Sequence, residues 1–240
     1  MSTESLRIVW IYPDLLSTYG DRGNLLILAR RAMQRGMPVE VLEVRSDQRL
    51  PTSADIYLLG GGEDGPQALG AQRLLADGGL HRAVAQGSVV FGVCAGYQLL
   101  GRSFFAKGTL CQGLELLDLQ SDRGPSRAVG ELAGEIDPRL GVPPLSGFEN
   151  HGGRTHLGPG VAPLARVTAG VGNDGQTEGA WRGKLLGTYS HGPALARNPA
   201  LADLLLRWAT GAHQLPPLDD TWPDRLRAER HAAVVAARRP

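Results

Sequence analysis

The chain has 240 residues, 42% of them hydrophobic, and a formal net charge of +1. That length supports one large domain with a substantial core, and a charge so near zero gives no reason to expect a nucleic-acid partner. Two cysteines, Cys94 and Cys111, exclude a disulfide framework. No run approaches the roughly 18 apolar residues of a membrane span, and the N-terminus lacks the basic segment of a signal peptide, so a cytoplasmic protein is expected.

In chain order, "LRIVWIY" (6–12) reads as a buried strand and "GNLLILARRAMQRG" (23–36) as a helix. Leu25, Leu28, Ala29 and Ala32 recur at helical spacing, with Asp21 in the N-cap region. "VEVLEV" (39–44) is a strand, and "DIYLLGGG" (55–62) is a strand running into glycines. A helix over "PQALGAQRLLADGG" follows, then a strand over "SVVFGV" and a helix opening at "AGYQLLG". Continuous apolar strands alternating with helices predict a parallel sheet covered on both faces. The second half changes character: "LELLDLQ", "RAVGELAGEI", "LARVTAG" and "KLLGTYS" read as strands between Gly- and Pro-rich turns. A helix at 199–212 presents Leu201, Leu204, Leu205 and Trp208 to the core. The tail, 213–240, begins with prolines and becomes a charged helical pattern that either packs or serves as a partner arm. One domain over 1–212 with this tail is expected.

Gly92-Val93-Cys94-Ala95-Gly96 has the spacing of a nucleophile elbow with cysteine in place of serine. A sharp strand-to-helix turn needs small neighbours, and it sets the thiol at a helix N-terminus, which favours the thiolate. A buried packing cysteine in a tight turn is an equal reading of these five residues alone. Cys111 has no such setting and reads as a packing residue. The glycines of "LLGGGEDGPQ" (58–67) end another strand, so this loop and Cys94 open on one crevice. Backbone N–H groups of Ala95 and of Gly61 or Gly62 are candidate oxyanion donors. A cysteine nucleophile needs a base. His191, ending "KLLGTYSH" at a strand's carboxyl end, is the leading candidate among six histidines, and His151 in "GFENHGGRTH" is its competitor. His156, in the same loop-like block, is a weaker competitor, and most histidines in such loops are surface or hydrogen-bonded residues; His81 reads as solvated, and His213 and His231 lie toward the tail.

With these blocks in place, the pattern resembles the class I glutamine amidotransferases, and within them the branch of the cobyric acid and cobyrinic acid diamide synthases. The order of "YPDLLSTYGDRGN", "LLGGGEDGPQ", "GVCAGYQLLG", "GFENHGGRT" and "GTYSHGPALARNP" is most similar to the glutaminase subunits of lipid II isoglutaminyl synthases. The resemblance covers about residues 7 to 212. It implies a three-layer, flavodoxin-like α/β fold with a largely parallel central sheet and added β-rich segments. It implies Cys94 as nucleophile, His191 as base and Arg127 as the group that grips the carboxylate of L-glutamine; in such a reaction Ala95 and Gly62 are the expected oxyanion donors. A guanidinium suits that role because it binds a carboxylate in bidentate fashion.

One position departs from the wider superfamily. Many class I domains have a glutamate two residues after the histidine, and here Pro193 stands there. The orienting group is unidentified, with Glu149 a speculative choice, and the "YGDRGN" and "FENHGGR" blocks have no assigned chemistry. No metal motif is present, and the only Gly-Lys pair, Gly183-Lys184, is followed by Leu185 and not by a P-loop Ser or Thr. No cofactor is therefore expected in this chain. The resemblance places ATP and Mg2+ on a separate Mur-ligase-like synthetase subunit, which would amidate the D-glutamate of lipid II at the inner face of the membrane. A glutaminase for another acceptor such as a corrinoid, a non-catalytic regulatory subunit, and a cysteine hydrolase of the same fold are the alternatives.

Overall fold

A computed structural model of the chain describes residues 5–18 and 20–237. Tyr19 of the "YGDRGN" block, residues 1–4, over which no signal peptide was read, and residues 238–240 of the tail lie outside the described residues. Up to residue 99 the elements are β1 (Leu6–Ile11), α1 (Arg22–Met33), β2 (Val39–Val44), β3 (Ile56–Leu59), α2 (Asp64–Asp77), α3 (Gly79–Ala85), β4 (Val89–Val93) and α4 (Ala95–Leu99). Then come the strands β5 (Ser103–Ala106), β6 (Thr109–Gln112), β7 (Leu119–Ile136), β8 (Leu145–Leu157), β9 (Ala165–Ala169), β10 (Thr177–Glu178), β11 (Ala180–Arg182) and β12 (Leu185–Thr188). Helices α5 (Ala194–Arg197), α6 (Pro199–Thr210) and α7 (Thr221–Ala237) close the chain.

The first sheet has the order β11-β12-β4-β3-β1-β2 and is parallel except for the edge pair β11–β12. Its central strands β3 and β4 are buried along their whole length, which is why they read as unbroken apolar runs. Helices α1 and α6 pack on each other, while α2 and α4 pack together and also meet β5 of the second sheet. That second sheet, β10-β9-β7-β5-β6 with β8 on β7, is antiparallel except at β5–β7. The architecture is the expected covered parallel sheet with a β-rich second half.

Two local expectations fail. "LELLDLQ" is a strand only from Leu119. Residues 114–117 instead give their N–H groups to the carbonyls of Leu99, Leu100 and Gly101, closing the C-terminal end of α4. Burial of Leu114, Leu116 and Leu117 produced the strand-like pattern. The "GFENHGGRT" block, read as a loop, is part of the long strand β8.

The tail packs through a clasp of charges. Arg31 on α1 forms bidentate pairs with Asp203 of α6 and Asp220, just ahead of α7, at 2.6–2.8 Å. Arg35 doubles the grip on Asp203 and donates to the Pro216 carbonyl at 2.7 Å. Among the described residues, no helix is long and apolar enough to cross a membrane.

Candidate active site

Parallel register sets three chain ends side by side. Leu59 pairs with Gly92, and Thr188 with Val93, so the Gly60–Gly62 loop, Cys94 and His191 all leave the carboxyl edge of the sheet together. Cys94 is the sharpest turn, with φ 52° and ψ −106°. A non-glycine residue held there stores about 1–3 kcal/mol. The neighbours explain how it is held. A Cβ on Gly92 would lie 2.8 Å from the Gly96 carbonyl carbon, and one on Gly96 would lie 2.5 Å from the Leu59 oxygen. The Cys94 N–H donates to the Thr188 carbonyl at 2.9 Å, tying the elbow to the strand that leads to His191. Helix α4 has only five residues. Its dipole is correspondingly small, and the charge partner of the thiol is His191 instead.

His191 is buried. Its backbone forms a two-bond bridge with Phe148 of β8: His191 N–H to the Phe148 carbonyl at 2.7 Å, and the reverse at 3.3 Å. Its Nδ1 lies 3.4 Å from Asp21 Oδ1, and the Cys94 thiol is its other electrostatic neighbour. Burial pulls the imidazole pKa down, but hydrogen bonds and charge from Asp21 and Cys94 outweigh it and push the value up to about 10. At neutral pH the ring is therefore a cation beside the thiol, the setting that stabilises a thiolate.

Asp21 is the group that sequence reasoning missed. It stands at the start of α1, yet its side chain does not cap the helix. One oxygen meets His191, and the other accepts the Gly61 N–H at 2.5 Å. That second bond occupies Gly61, so Gly62 is the remaining donor candidate in the loop. The rest of the block braces the same segment. A Cβ on Gly23 would collide with the Pro193 ring at 2.1 Å, and Asn24 Oδ1 accepts the Leu195 N–H at 2.9 Å. The block around Asp21 thus supports the histidine from across the chain, where Pro193 cannot.

Glu149 does not orient His191. It binds His151: Glu149 Oε2 to His151 Nε2 is 3.2 Å, and the carboxylate also accepts the Val171 and Gly172 N–H groups at 2.7 and 2.8 Å. His151 Nδ1 lies 3.1 Å from the Gly153 carbonyl, and the ring stacks on Tyr189 at 3.7 Å. Both His151 nitrogens are engaged away from Cys94, which separates the two competing histidines on geometry. Of the others, His81 contacts the Leu114 carbonyl at 2.7 Å and His156 lies on the surface, 3.7 Å from Asp122.

A cavity of about 520 Å³ opens over Cys94. Gly62, Ala95, Gln98, Arg127 and His151 line it. Ala95 is the first residue of α4, so its N–H has no acceptor within the helix. Arg127 reaches the cavity by a break in register. Between the pairs Arg123–Gly153 and Ala128–His151, β7 inserts residues 124–127 opposite the single residue Gly152. This bulge swings the guanidinium over the cavity, where Asn150 Oδ1 accepts from Nε at 2.7 Å. Cys111 lies on β6, partly buried against the core. No cluster of three or more potential metal ligands occurs among the described residues.

Residues 7–199 match the model of the CobB/CobQ-like glutamine amidotransferase domain. The chain belongs to that family. As a CobB/CobQ-like glutamine amidotransferase, it is 36% identical over 216 residues to the lipid II isoglutaminyl synthase (glutamine-hydrolyzing) subunit GatD of Staphylococcus aureus, covering 88% of this chain and 87% of that protein. The GatD subunit of Streptococcus pneumoniae is 32% identical over 241 residues, covering 95% of this chain and 91% of its own length. A cobyric acid synthase of Rhizobium leguminosarum is 36% identical over 166 residues, which is 64% of this chain but 32% of that synthase. Among solved structures, a glutamine amidotransferase superposes with a TM-score of 0.60 at 22% identity, covering 84% of this chain and 98% of its own. That likeness supports the class I amidotransferase fold.

Proposed function

We propose that this chain is the glutaminase subunit of a lipid II isoglutaminyl synthase. It hydrolyses L-glutamine, and an ATP- and Mg2+-dependent Mur-ligase-like partner uses the ammonia to amidate the stem-peptide D-glutamate on the cytoplasmic side. The observation that carries the chemistry is the Cys94–His191–Asp21 line beneath the cavity that Arg127 overhangs. The near full-length match to two GatD subunits supports the choice of acceptor over a corrinoid.

In this reading Arg127 takes the α-carboxylate of glutamine and the Cys94 thiolate attacks the side-chain carbonyl carbon. The N–H groups of Ala95 and Gly62 stabilise the oxyanion. The His191 imidazolium gives its proton to the departing nitrogen, which leaves as ammonia. The resulting thioester has no thiolate charge, so one of the two influences that raise the His191 pKa is gone. The neutral ring then accepts a proton from water as it attacks the thioester, releasing glutamate and restoring the thiolate–imidazolium pair. Asp21 holds the ring in place through both steps.

The test is reconstitution with the partner. Wild-type complex with ATP amidates lipid II from glutamine, Cys94→Ala complex does not, and ammonium salt restores the mutant. Failure of ammonium to rescue a mutant complex whose wild-type counterpart works on glutamine would remove the two-site model. Amidation of a corrinoid and not of lipid II would move the subunit to the alternative acceptor.

A further inference from the structure

Strand β12 ends at Thr188, and the residues after it, Tyr189, Ser190 and His191, carry the base away from the sheet. Each of their backbone N–H groups is nevertheless held. The His191 N–H donates to the Phe148 carbonyl at 2.7 Å. The other two donate to side chains: Tyr189 N–H to Glu178 Oε1 at 2.8 Å, and Ser190 N–H to Thr188 Oγ1 at 2.9 Å. The Thr188 hydroxyl in turn donates to the same Glu178 oxygen. One carboxyl oxygen therefore stands behind two of the three N–H groups that lead to the base. The Thr188 carbonyl also accepts the Cys94 N–H at 2.9 Å, so the residue that Glu178 fixes holds the elbow as well.

Glu178 comes from the other sheet, where it lies on β10 opposite Ala165 of β9. Gly179, with φ 57°, turns the chain from Glu178 into β11. A Cβ on Gly179 would collide with the Gly187 carbonyl oxygen, so this turn presses directly on β12. Asn173 Nδ2 donates to the Gly179 carbonyl at 2.8 Å, and Asn173 Oδ1 accepts the Tyr97 hydroxyl of α4 at 3.1 Å. The path closes on itself. The elbow helix fixes the turn, the turn presents Glu178, Glu178 fixes Thr188, and Thr188 holds Cys94. Tyr97, Asn173, Glu178, Thr188 and Ser190 are all fully buried. A bond lost here leaves a polar group without a replacement from solvent.

We infer that Glu178 is a positioning residue for the Cys94–His191 pair, acting through the Thr188 hydroxyl and the Tyr189 N–H. The inference rests on the proposed glutaminase reading and deepens it: a side chain from the second sheet sets the alignment of nucleophile and base. Both bonds end on Oε1 and call for an acceptor, which an amide oxygen also provides. Arg127 sits on the β7 bulge, outside this path. Loss of the brace therefore misplaces the reacting groups and leaves the grip on the glutamine carboxylate.

The test is ammonia release from L-glutamine by the full chain in wild type, Thr188→Val, Glu178→Leu and Glu178→Gln, with folding checked by circular dichroism. Thr188→Val and Glu178→Leu should lower kcat by about 10- to 100-fold, the scale of a small misplacement of reacting groups, with KM within about twofold of wild type. Glu178→Gln should recover most of the kcat lost in Glu178→Leu. The double variant Glu178→Leu/Thr188→Val should lose less than the product of the two single losses, because both substitutions break one chain of bonds. If Glu178→Leu does not fold, Thr188→Val and Glu178→Gln carry the test, since each preserves most of the side-chain shape. An unchanged kcat in Thr188→Val, a loss confined to KM, or a folded Glu178→Gln as impaired as Thr188→Val overturns the inference, while an active wild type leaves the glutaminase reading standing. A wild-type chain that releases no ammonia, alone or with its partner, overturns both.

Discussion

Glu178→Gln is expected to remove a pH dependence of stability that sits under the strand leading to His191. Glu178 is fully buried, and one carboxylate oxygen accepts the Thr188 hydroxyl and the Tyr189 N–H, two residues ahead of His191. Burial, reinforced by the nearby Glu149 charge and only partly offset by hydrogen bonds, pushes its pKa up to about 7 from an ordinary 4.5. The folded pKa exceeds the unfolded one, so the folded chain binds the proton more tightly. The stabilisation is complete below the unfolded pKa of 4.5 and is lost as pH rises through about 7. A shift of this size at about 1.4 kcal/mol per unit gives roughly 3 kcal/mol in all, of which about 2 to 3 kcal/mol falls between pH 5 and pH 8. Glutamine cannot ionise, and it retains an oxygen for Thr188 and Tyr189. The difference between variant and wild-type unfolding free energies should therefore move by that amount in favour of the variant, or about 5–10 °C in Tm for a domain of this size. Urea or thermal unfolding of both proteins at the two pH values measures it, and other titrating groups cancel in the difference. Parallel stability curves would show that Glu178 is ionised throughout and refute the reasoning.

Cys94→Ala should abolish ammonia release from glutamine with the fold intact, whereas Cys111→Ser should retain most of it; a coupled glutamate or ammonia assay decides. His191→Ala should lose about 10²- to 10⁴-fold in kcat, as for removal of a general base, and His151→Ala much less. Asp21→Asn should lower kcat and shift the alkaline limb of the pH–rate profile to lower pH, because Asp21 helps raise the His191 pKa to about 10; an unmoved limb would mean that Asp21 only packs. Arg127→Ala should chiefly raise KM for glutamine, and unchanged kinetics at low glutamine would leave Arg127 without a substrate role.

The parts of the site that are local in sequence were legible, and the parts made by distant contacts were not. The elbow around Cys94 and the strand end at His191 each carry their signal within a few residues: small neighbours at the first, an apolar run broken by Gly192 and Pro193 at the second. Asp21 gave a misleading local signal. An aspartate ahead of a helical pattern reads as an N-cap, and only the fold shows its carboxylate spent on Gly61 and His191, 170 residues away. The fold class was legible because β3 and β4 are buried on both faces. The hairpin β5–β6 and the long strand β8 were not. The glycines of β8, at positions 147, 152 and 153, suggest a loop, yet a Cβ at Gly147 would meet Ser190 at 1.8 Å and one at Gly153 would meet Gln98 at 2.2 Å. Those glycines answer to close packing against Ser190, just ahead of His191, and Gln98 of α4, which no single segment reveals. The same packing buries His151.

The central claim is that Cys94 is the nucleophile of a glutamine-specific pocket, and covalent trapping tests it most directly. The purified chain is treated with an electrophilic analogue of L-glutamine and mapped by peptide mass spectrometry. The account predicts one adduct, on Cys94, suppressed by excess L-glutamine, slowed in Arg127→Ala and absent in His191→Ala over the same time. Labelling of Cys111 in place of Cys94, or labelling of Cys94 that excess glutamine does not suppress, would contradict it.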